Sequence, residues 1–305
     1  MRVFITGASG HIGSALVPEL LARGHTIVAL ARSDSSASAL AASGAEVRRG
    51  DLDDLAGLRE AASAADGVIH LAFKHDLAFS GDFAGAAAAD LRVVEAIGAA
   101  LEGSGKPFVS TSGTLTLGVK GRSHATGTEA DVRDGGPRVD SENAVIALQS
   151  RHVRSSVVRL APVVHSALDR QGFIPSLIAM AQKSGSTAYV GDGANRWPAV
   201  HTRDAARLYR LALEVAPPGS RLHGAAEEGI PSRDIAEAIG RGLGLPSNSV
   251  SAERAGEHLG FLALFAQLDN PVSSERTRTL LGWNPTHPGL LADLSERFYF
   301  EPRGS

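Results

Sequence analysis

The sequence predicts an α/β fold: a doubly wound, mostly parallel sheet with a smaller C-terminal lobe. Three observations point there. Short β-branched apolar runs alternate with helical stretches of roughly 10–15 residues through the first half, the signature of βαβ units. A glycine-rich turn joins the first apolar run to the first helical one. After Pro162 the alternation lapses, and Gly and Pro punctuate the chain.

Taken in order, residues 3–6 read as a strand and 12–23 as a helix stopped by Gly24. Strands follow at 26–31 and 46–49, a helix at 55–65 and a strand at 67–72. A long Ala-rich helix at 82–101 leads to a strand at 107–111, then a helix at 142–151 and a strand at 156–160. Helices near 204–214 and 233–243 belong to the second lobe. Residues 1–164 are expected to form the sheet domain and 165–305 the substrate lobe, with part of 198–225 returning to the sheet.

Composition narrows the function. The 305 residues carry a net charge of −3, so no positive field draws the chain to nucleic acid or to an anionic membrane. With no cysteine, disulfides, thiolate chemistry and Cys-ligated zinc are excluded. A strand starting at residue 3 leaves no room for a targeting segment, and a cytoplasmic location is expected. Residues 301–305 are assigned no function.

The turn reads Thr6-Gly7-Ala8-Ser9-Gly10-His11-Ile12-Gly13. Gly7 suits the tight turn, Gly10 a close approach of backbone to a pyrophosphate, and Gly13 close helix–strand packing. The helix N-terminus beyond offers free N–H groups to phosphate. Strand, turn and helix in this order predict a dinucleotide site of the Rossmann type. NAD-preferring folds place an acid at the end of the second strand for the ribose 2′-hydroxyl. Here stand Arg32 and Ser33, followed by Ser35 and Ser36. A guanidinium binds a 2′-phosphate where a carboxylate would repel it, so NADP(H) is expected in preference to NAD(H).

These residues resemble the extended short-chain dehydrogenase/reductase superfamily, the NAD(P)-dependent epimerase/dehydratase and hydroxysteroid-dehydrogenase-like group. The resemblance extends through Gly50-Asp51-Leu52, Val68-Ile69-His70-Leu71-Ala72, Val109-Ser110-Thr111-Ser112-Gly113 and Val158-Arg159-Leu160-Ala161-Pro162. It also covers Val190-Gly191-Asp192-Gly193 and His201-Thr202-Arg203-Asp204-Ala205-Ala206. It implies that Asp51 and Leu52 sit by the adenine and that Leu71, Ala72, Thr111 and Pro162 line the cofactor. Ser112 takes the place of the catalytic Ser/Thr. It further implies an oxidoreductase reducing or oxidising a small carbonyl, alcohol or imine.

The family's Tyr-x-x-x-Lys pair is missing. At that place the chain reads Arg138-Val139-Asp140-Ser141-Glu142, and no Tyr precedes Tyr189. Arg138 and Glu142 either form an ion pair on the old catalytic face or a plain i, i+4 helix bridge. Arginine hardly ever deprotonates, so it serves as an electrostatic stabiliser rather than an acid. Two alternatives to an oxidoreductase stay open: a non-catalytic NADP(H)-sensing regulator, and an epimerase or dehydratase holding its cofactor tightly.

His165 and His201 are candidate proton donors, because histidine titrates near neutrality. Lys74 and His75 follow the fourth strand at the edge where open α/β sheets bind ligands. Asn195-Arg196-Trp197 combines an amide, a cation and an aromatic able to orient a substrate. No metal-ligand spacing is present. Residues 256–267 read as an all-round apolar helix: buried, a lid over a small-molecule substrate, or the contact of a homodimer.

Overall fold

The computed structural model describes residues 1–120 and 125–301. Residues 302–305, which are assigned no function, lie outside them. In chain order the first half comprises β1 (Arg2–Thr6), α1 (His11–Leu21), β2 (Thr26–Ala31), α2 (Asp34–Ala42), β3 (Glu46–Arg49), α3 (Leu55–Ala64), β4 (Gly67–His70), α4 (His75–Phe79), α5 (Phe83–Leu101), β5 (Pro107–Gly113), β6 (Val119–Lys120), α6 (Val139–Ala147) and β7 (Arg154–Leu160). The second half comprises β8 (Val163–His165), α7 (Phe173–Ser184), β9 (Thr187–Val190), β10 (Arg196–His201), α8 (Thr202–Val215), β11 (Ser220–Gly224), β12 (Glu227–Pro231), α9 (Ser232–Leu243), β13 (Ser247–Val250), α10 (Ala255–Leu259), β14 (Leu268–Asp269), α11 (Glu275–Leu281) and α12 (Leu290–Asp293).

Seven strands form one sheet in the order β11-β7-β5-β4-β1-β2-β3. Every pairing in it is parallel, so both faces need covering. Alternate side chains supply two cores. Val3, Ile5, Ile69, Val109 and Val158 pack against α1 and α8. Phe4, Val68, Phe108 and Val157 pack against α3, α5 and α6. The chain runs outward from β1 to β2 and β3, then returns to the other side of β1 as β4. That reversal opens a crevice at the carboxyl ends of β1 and β4, where such sheets bind ligands.

A third core joins β8, α7, β10, α9 and α10 into the second lobe, around Ile174, Trp197, Ile230 and Ile239. The chain returns to the main sheet between these pieces, since β11 pairs with β7. Among the described residues no helix is long and apolar enough to cross a membrane.

One helix was not among the expectations, and two local readings need correction. The serine run after β2 is helical: Ser33 caps α2, and its hydroxyl accepts from Ser36 N at 3.2 Å while Ser36 Oγ reaches back to Ser33 N. The helix expected at 142–151 starts at Val139 and tightens into a 3₁₀ turn, Leu148–Arg151. The single apolar helix expected at 256–267 is α10 followed by two 3₁₀ turns, broken where Gly260 takes φ +48°. An L side chain disfavours that conformation, so the helix stops there.

Candidate active site at the sheet switch point

The glycine turn is built for a close-fitting guest. Gly7 has φ +74°, and a Cβ on it would lie 2.7 Å from Ala72 N. A Cβ on Gly13 would lie 2.3 Å from Ala8 O. Gly10 caps α1 with no side-chain bond, Ser9 is exposed, and the first-turn N–H groups of α1 are unclaimed by a side-chain cap. A pyrophosphate fits this cradle by charge and by shape. Thr6 closes β1 beneath it, and Leu71 and Ala72, half-buried, press on it from the end of β4.

Around the adenosine end, Arg32 is three-quarters exposed and lies 3.5 Å from Asp76. Ser33 spends its hydroxyl partly on the α2 cap. Asp51 accepts from Asp53 N at 2.8 Å and from Asp54 N at 3.2 Å, shaping the turn into α3. Leu52 packs against the α3 core. Lys74 grips Asp53 at 2.7 Å, which ties the loop after β4 to the loop before α3. Its ammonium is thereby engaged with a carboxylate rather than held out for a substrate. Pro162 sits half-buried between β7 and β8.

The segment expected to correspond to the family's Tyr-x-x-x-Lys pair is tied to other elements. Arg138 does not pair with Glu142 in either of the expected ways. It precedes α6 in a left-handed conformation, φ +69°, that a non-glycine residue adopts only under constraint. Its Nη1 lies 3.0 Å from Asp90 on α5, its Nη2 donates to Thr111 O at 2.7 Å, and its guanidinium covers the Phe73 ring at 4.3 Å. Behind Asp90 the chain of contacts continues. His70 Nε2 is 3.1 Å from Asp90 Oδ1, and His70 Nδ1 is 2.6 Å from Thr6 Oγ1. Since the carboxylate accepts, Nε2 carries the proton and Nδ1 accepts from Thr6. A buried relay thus runs from the foot of the glycine turn to Arg138. Burial opposes ionisation of Asp90, but Arg138 and His70 together outweigh it and hold the carboxyl below its usual range.

Glu142 turns the other way. Arg159 on β7 donates to it at 3.0 and 3.1 Å, and Arg221 on β11 at 2.9 Å. Burial again works against the charge, and the two arginines overcome it, keeping Glu142 ionised well below its ordinary value. Ser112 faces this cluster: alternation along β5 sends Thr111 towards α8, bonded to Tyr209 at 2.8 Å, and Ser112 towards α6. Ser112 Oγ is buried and makes no hydrogen bond of good geometry.

The histidine candidates occupy a separate knot between the lobes. His165 is fully buried and bonded to Asp293 at 2.7 Å. His201 accepts from Arg203 N at 3.2 Å, capping α8, and stacks on His287 at 4.6 Å. Burial above all lowers His201 to about 4. His11 meets Thr202 at 2.8 Å and is likewise lowered to about 4, by burial first and then by His165 and His201. All three anchor the C-terminal segment to α1 and α8. His201, Asp204 and His287 bring ligand atoms within 4.8 Å of one another. Asp204 accepts from Thr286 N and His287 N and lies 2.9 Å from His287 Nδ1.

Asn195, Arg196 and Trp197 also serve a different end from the one expected. Asn195 Nδ2 donates to Ala266 O, Arg196 pairs with Asp269 at 2.8 Å, and buried Trp197 donates to Phe265 O. They clamp the 265–269 segment. Asp90, Phe73, Arg159 and Arg221 were not among the expected site residues. The signal available for Asp90 was a lone acid at the end of an alanine run, Ala86 to Ala89, on a helix otherwise apolar there.

A glycine cradle at a sheet switch point, with a rearranged polar site beside it, defines a nucleotide-cofactor protein. Residues 3–222 match the NAD dependent epimerase/dehydratase family, and the chain belongs to that family. It is 45% identical over 302 residues to an uncharacterized protein of Schizosaccharomyces pombe, covering 98% of this chain and 100% of that one. It is 25% identical over 258 residues to the 2-alkyl-3-oxoalkanoate reductase of Stenotrophomonas maltophilia, covering 81% and 77%. Among solved structures, the dTDP-glucose 4,6-dehydratase DesIV of Streptomyces venezuelae shares the fold with TM-score 0.76 at 20% identity, covering 98% and 97%.

Proposed function

We propose that the chain is an NADP(H)-preferring oxidoreductase that interconverts a small carbonyl and its alcohol, with Arg138 stabilising charge on the substrate oxygen. The observation that carries this reading is the strained, half-buried placement of Arg138 where the family resemblance implies a tyrosine. Strain of this kind persists where surrounding contacts enforce it, and such positions cluster at functional sites. When bound, the nicotinamide supplies or accepts the hydride. Thr6, Gly7, Ser9, Gly10 and the α1 N-terminus would hold the pyrophosphate, and Arg32 with Ser33 would receive the 2′-phosphate. Asp90 and His70 fix the guanidinium so that it is organised before charge develops on the oxygen.

A second reading, a non-catalytic NADP(H) sensor, is favoured by the way Glu142 is withdrawn into the Arg159–Arg221 pair. Calorimetric titration with NADPH, NADP⁺, NADH and NAD⁺, followed by a ketone panel, separates the two. Tighter binding of the phosphorylated pair with turnover of a ketone supports the oxidoreductase. Binding that discriminates redox state without turnover supports the sensor. No binding by any of the four defeats both.

A further inference from the structure

His75 opens α4 just beyond Ala72, at the mouth of the crevice. It and Phe79 lie one turn apart on a single face, with ring centroids at 5.7 Å. Inward, His75 meets Phe73 edge-on at 5.2 Å, and Phe73 is the ring beneath the Arg138 guanidinium. Outward, Phe79 meets Phe261 of the second lobe at 5.1 Å. A continuous row of rings therefore leads from Arg138 to the lip where the lobes touch. Within this row only the imidazole exchanges a proton near neutrality.

We infer that His75 is the acid–base residue that replaces the missing tyrosine, serving a substrate whose oxygen rests against Arg138. The inference rests on the oxidoreductase reading above. In the reducing direction the carbonyl carbon gains a hydride from bound reduced nicotinamide. The C=O π pair moves onto oxygen, and the His75 imidazolium gives that oxygen its proton. In the oxidising direction the neutral imidazole removes the hydroxyl proton. His75 is exposed, so water restores its protonation state between turnovers.

The neighbouring candidates are otherwise engaged. Lys74 holds Asp53, His165 is sealed against Asp293, and fully buried Tyr209 bonds Thr111 on the α8 face. The groups facing the imidazole are Arg138 from the segment before α6 and Asp76 from α4 itself. Arg32 lies 3.5 Å from Asp76, and the rings of Phe73 and Phe261 add no charge. Partial burial first, and Arg138 next, push His75 below the ordinary 6.5, with Asp76 opposing. Reduction is then fastest below that lowered value and falls as pH rises through it, while oxidation rises.

The test uses the full chain, NADPH or NADH, and cyclohexanone, acetophenone and 2-decanone as probes. His75→Ala is expected to lower kcat by about 10²- to 10⁴-fold with little change in KM, and added imidazole to restore part of the loss. His75→Gln should lose the same limb of the pH profile without rescue by imidazole. Independently of turnover, an imidazole titrating below the usual histidine range in the NMR spectrum of the cofactor-free protein should vanish in His75→Gln and move upward in Arg138→Gln. An active wild type whose His75→Ala variant keeps its rate and pH profile overturns the inference and spares the oxidoreductase reading. Cofactor binding with no ketone turned over by the wild type overturns both.

Discussion

The two sides of the switch point are made of different material. On the β1 side, the cofactor cradle is backbone: turn geometry, close approach and helix N–H groups, all within eight consecutive residues from Thr6 to Gly13. On the β5–β7 side, the site is side chains whose meaning depends on partners elsewhere: Arg138 on Asp90, Glu142 on Arg159 and Arg221. The first kind of site tolerates almost no substitution and declares itself in sequence. The second is read only from the fold, because the partners that hold its charges lie far away in the chain. The glycine turn and the Arg138–Glu142 region thus rest on different physics.

The largest effect should come from breaking the backbone side. Gly13→Ala places a Cβ 2.3 Å from Ala8 O, and nothing there can give way except the turn itself. Binding of all four dinucleotides should become undetectable by calorimetry. Retained affinity would mean that the cofactor does not sit on this turn.

On the side-chain side the largest effect falls on stability. Glu142→Gln leaves buried Arg159 and half-buried Arg221 without a counter-charge and should cost about 3–5 kcal/mol in urea unfolding. Cofactor affinity should be unchanged, since the pair lies away from the cradle. The pH dependence has a definite sign. Folding depresses the Glu142 pKa below its ordinary 4.5, so its contribution is complete above that value. It fades as pH falls through the lower folded value. The acid limb of wild-type stability should flatten in the variant.

Arg138→Gln should reduce ketone turnover by about 10²–10³-fold, the scale of losing one oxyanion-stabilising group, with cofactor affinity kept. If turnover survives, the strained backbone at Arg138 serves the fold alone. Arg32→Ala should be milder: about tenfold weaker NADPH binding with NADH unaffected, as a solvent-exposed charge-assisted contact is modest. Equal loss for both dinucleotides would place Arg32 outside the 2′-phosphate site.

These contrasts follow what was legible in the sequence. The parallel sheet and the cradle were, because periodicity and a contiguous glycine motif encode them locally. The helix α2 was not, because Ser33, Ser35 and Ser36 read equally well as phosphate-binding hydroxyls and as a cap. Nor were the partners of Arg138 and Glu142. Spacing of four suggested that they meet, but Arg138 lies outside the helix in a left-handed conformation and points to α5, while Glu142 points to β7. The Asn195-Arg196-Trp197 cluster misled for a related reason. A cation and an aromatic suit a ligand and suit a clamp between segments equally, and only the positions of Phe265 and Asp269 decide.

Ser112 gives the smallest and sharpest contrast. By motif it is the carbonyl polariser, and by that role alone Ser112→Ala should cripple turnover. By geometry it lies buried on the α6 face of β5 beside Glu142, while Arg138 reaches the strand end through Thr111 O. Its hydroxyl contributes only the last and weakest of the influences that keep Glu142 ionised. Ser112→Ala should therefore change kcat by less than about threefold, under 1 kcal/mol in barrier, when measured beside Arg138→Gln on the same ketone. A loss matching that of Arg138→Gln would return the polarising role to the serine. It would also mean that β5 presents Ser112 to the crevice during turnover, against the packing that buries it here.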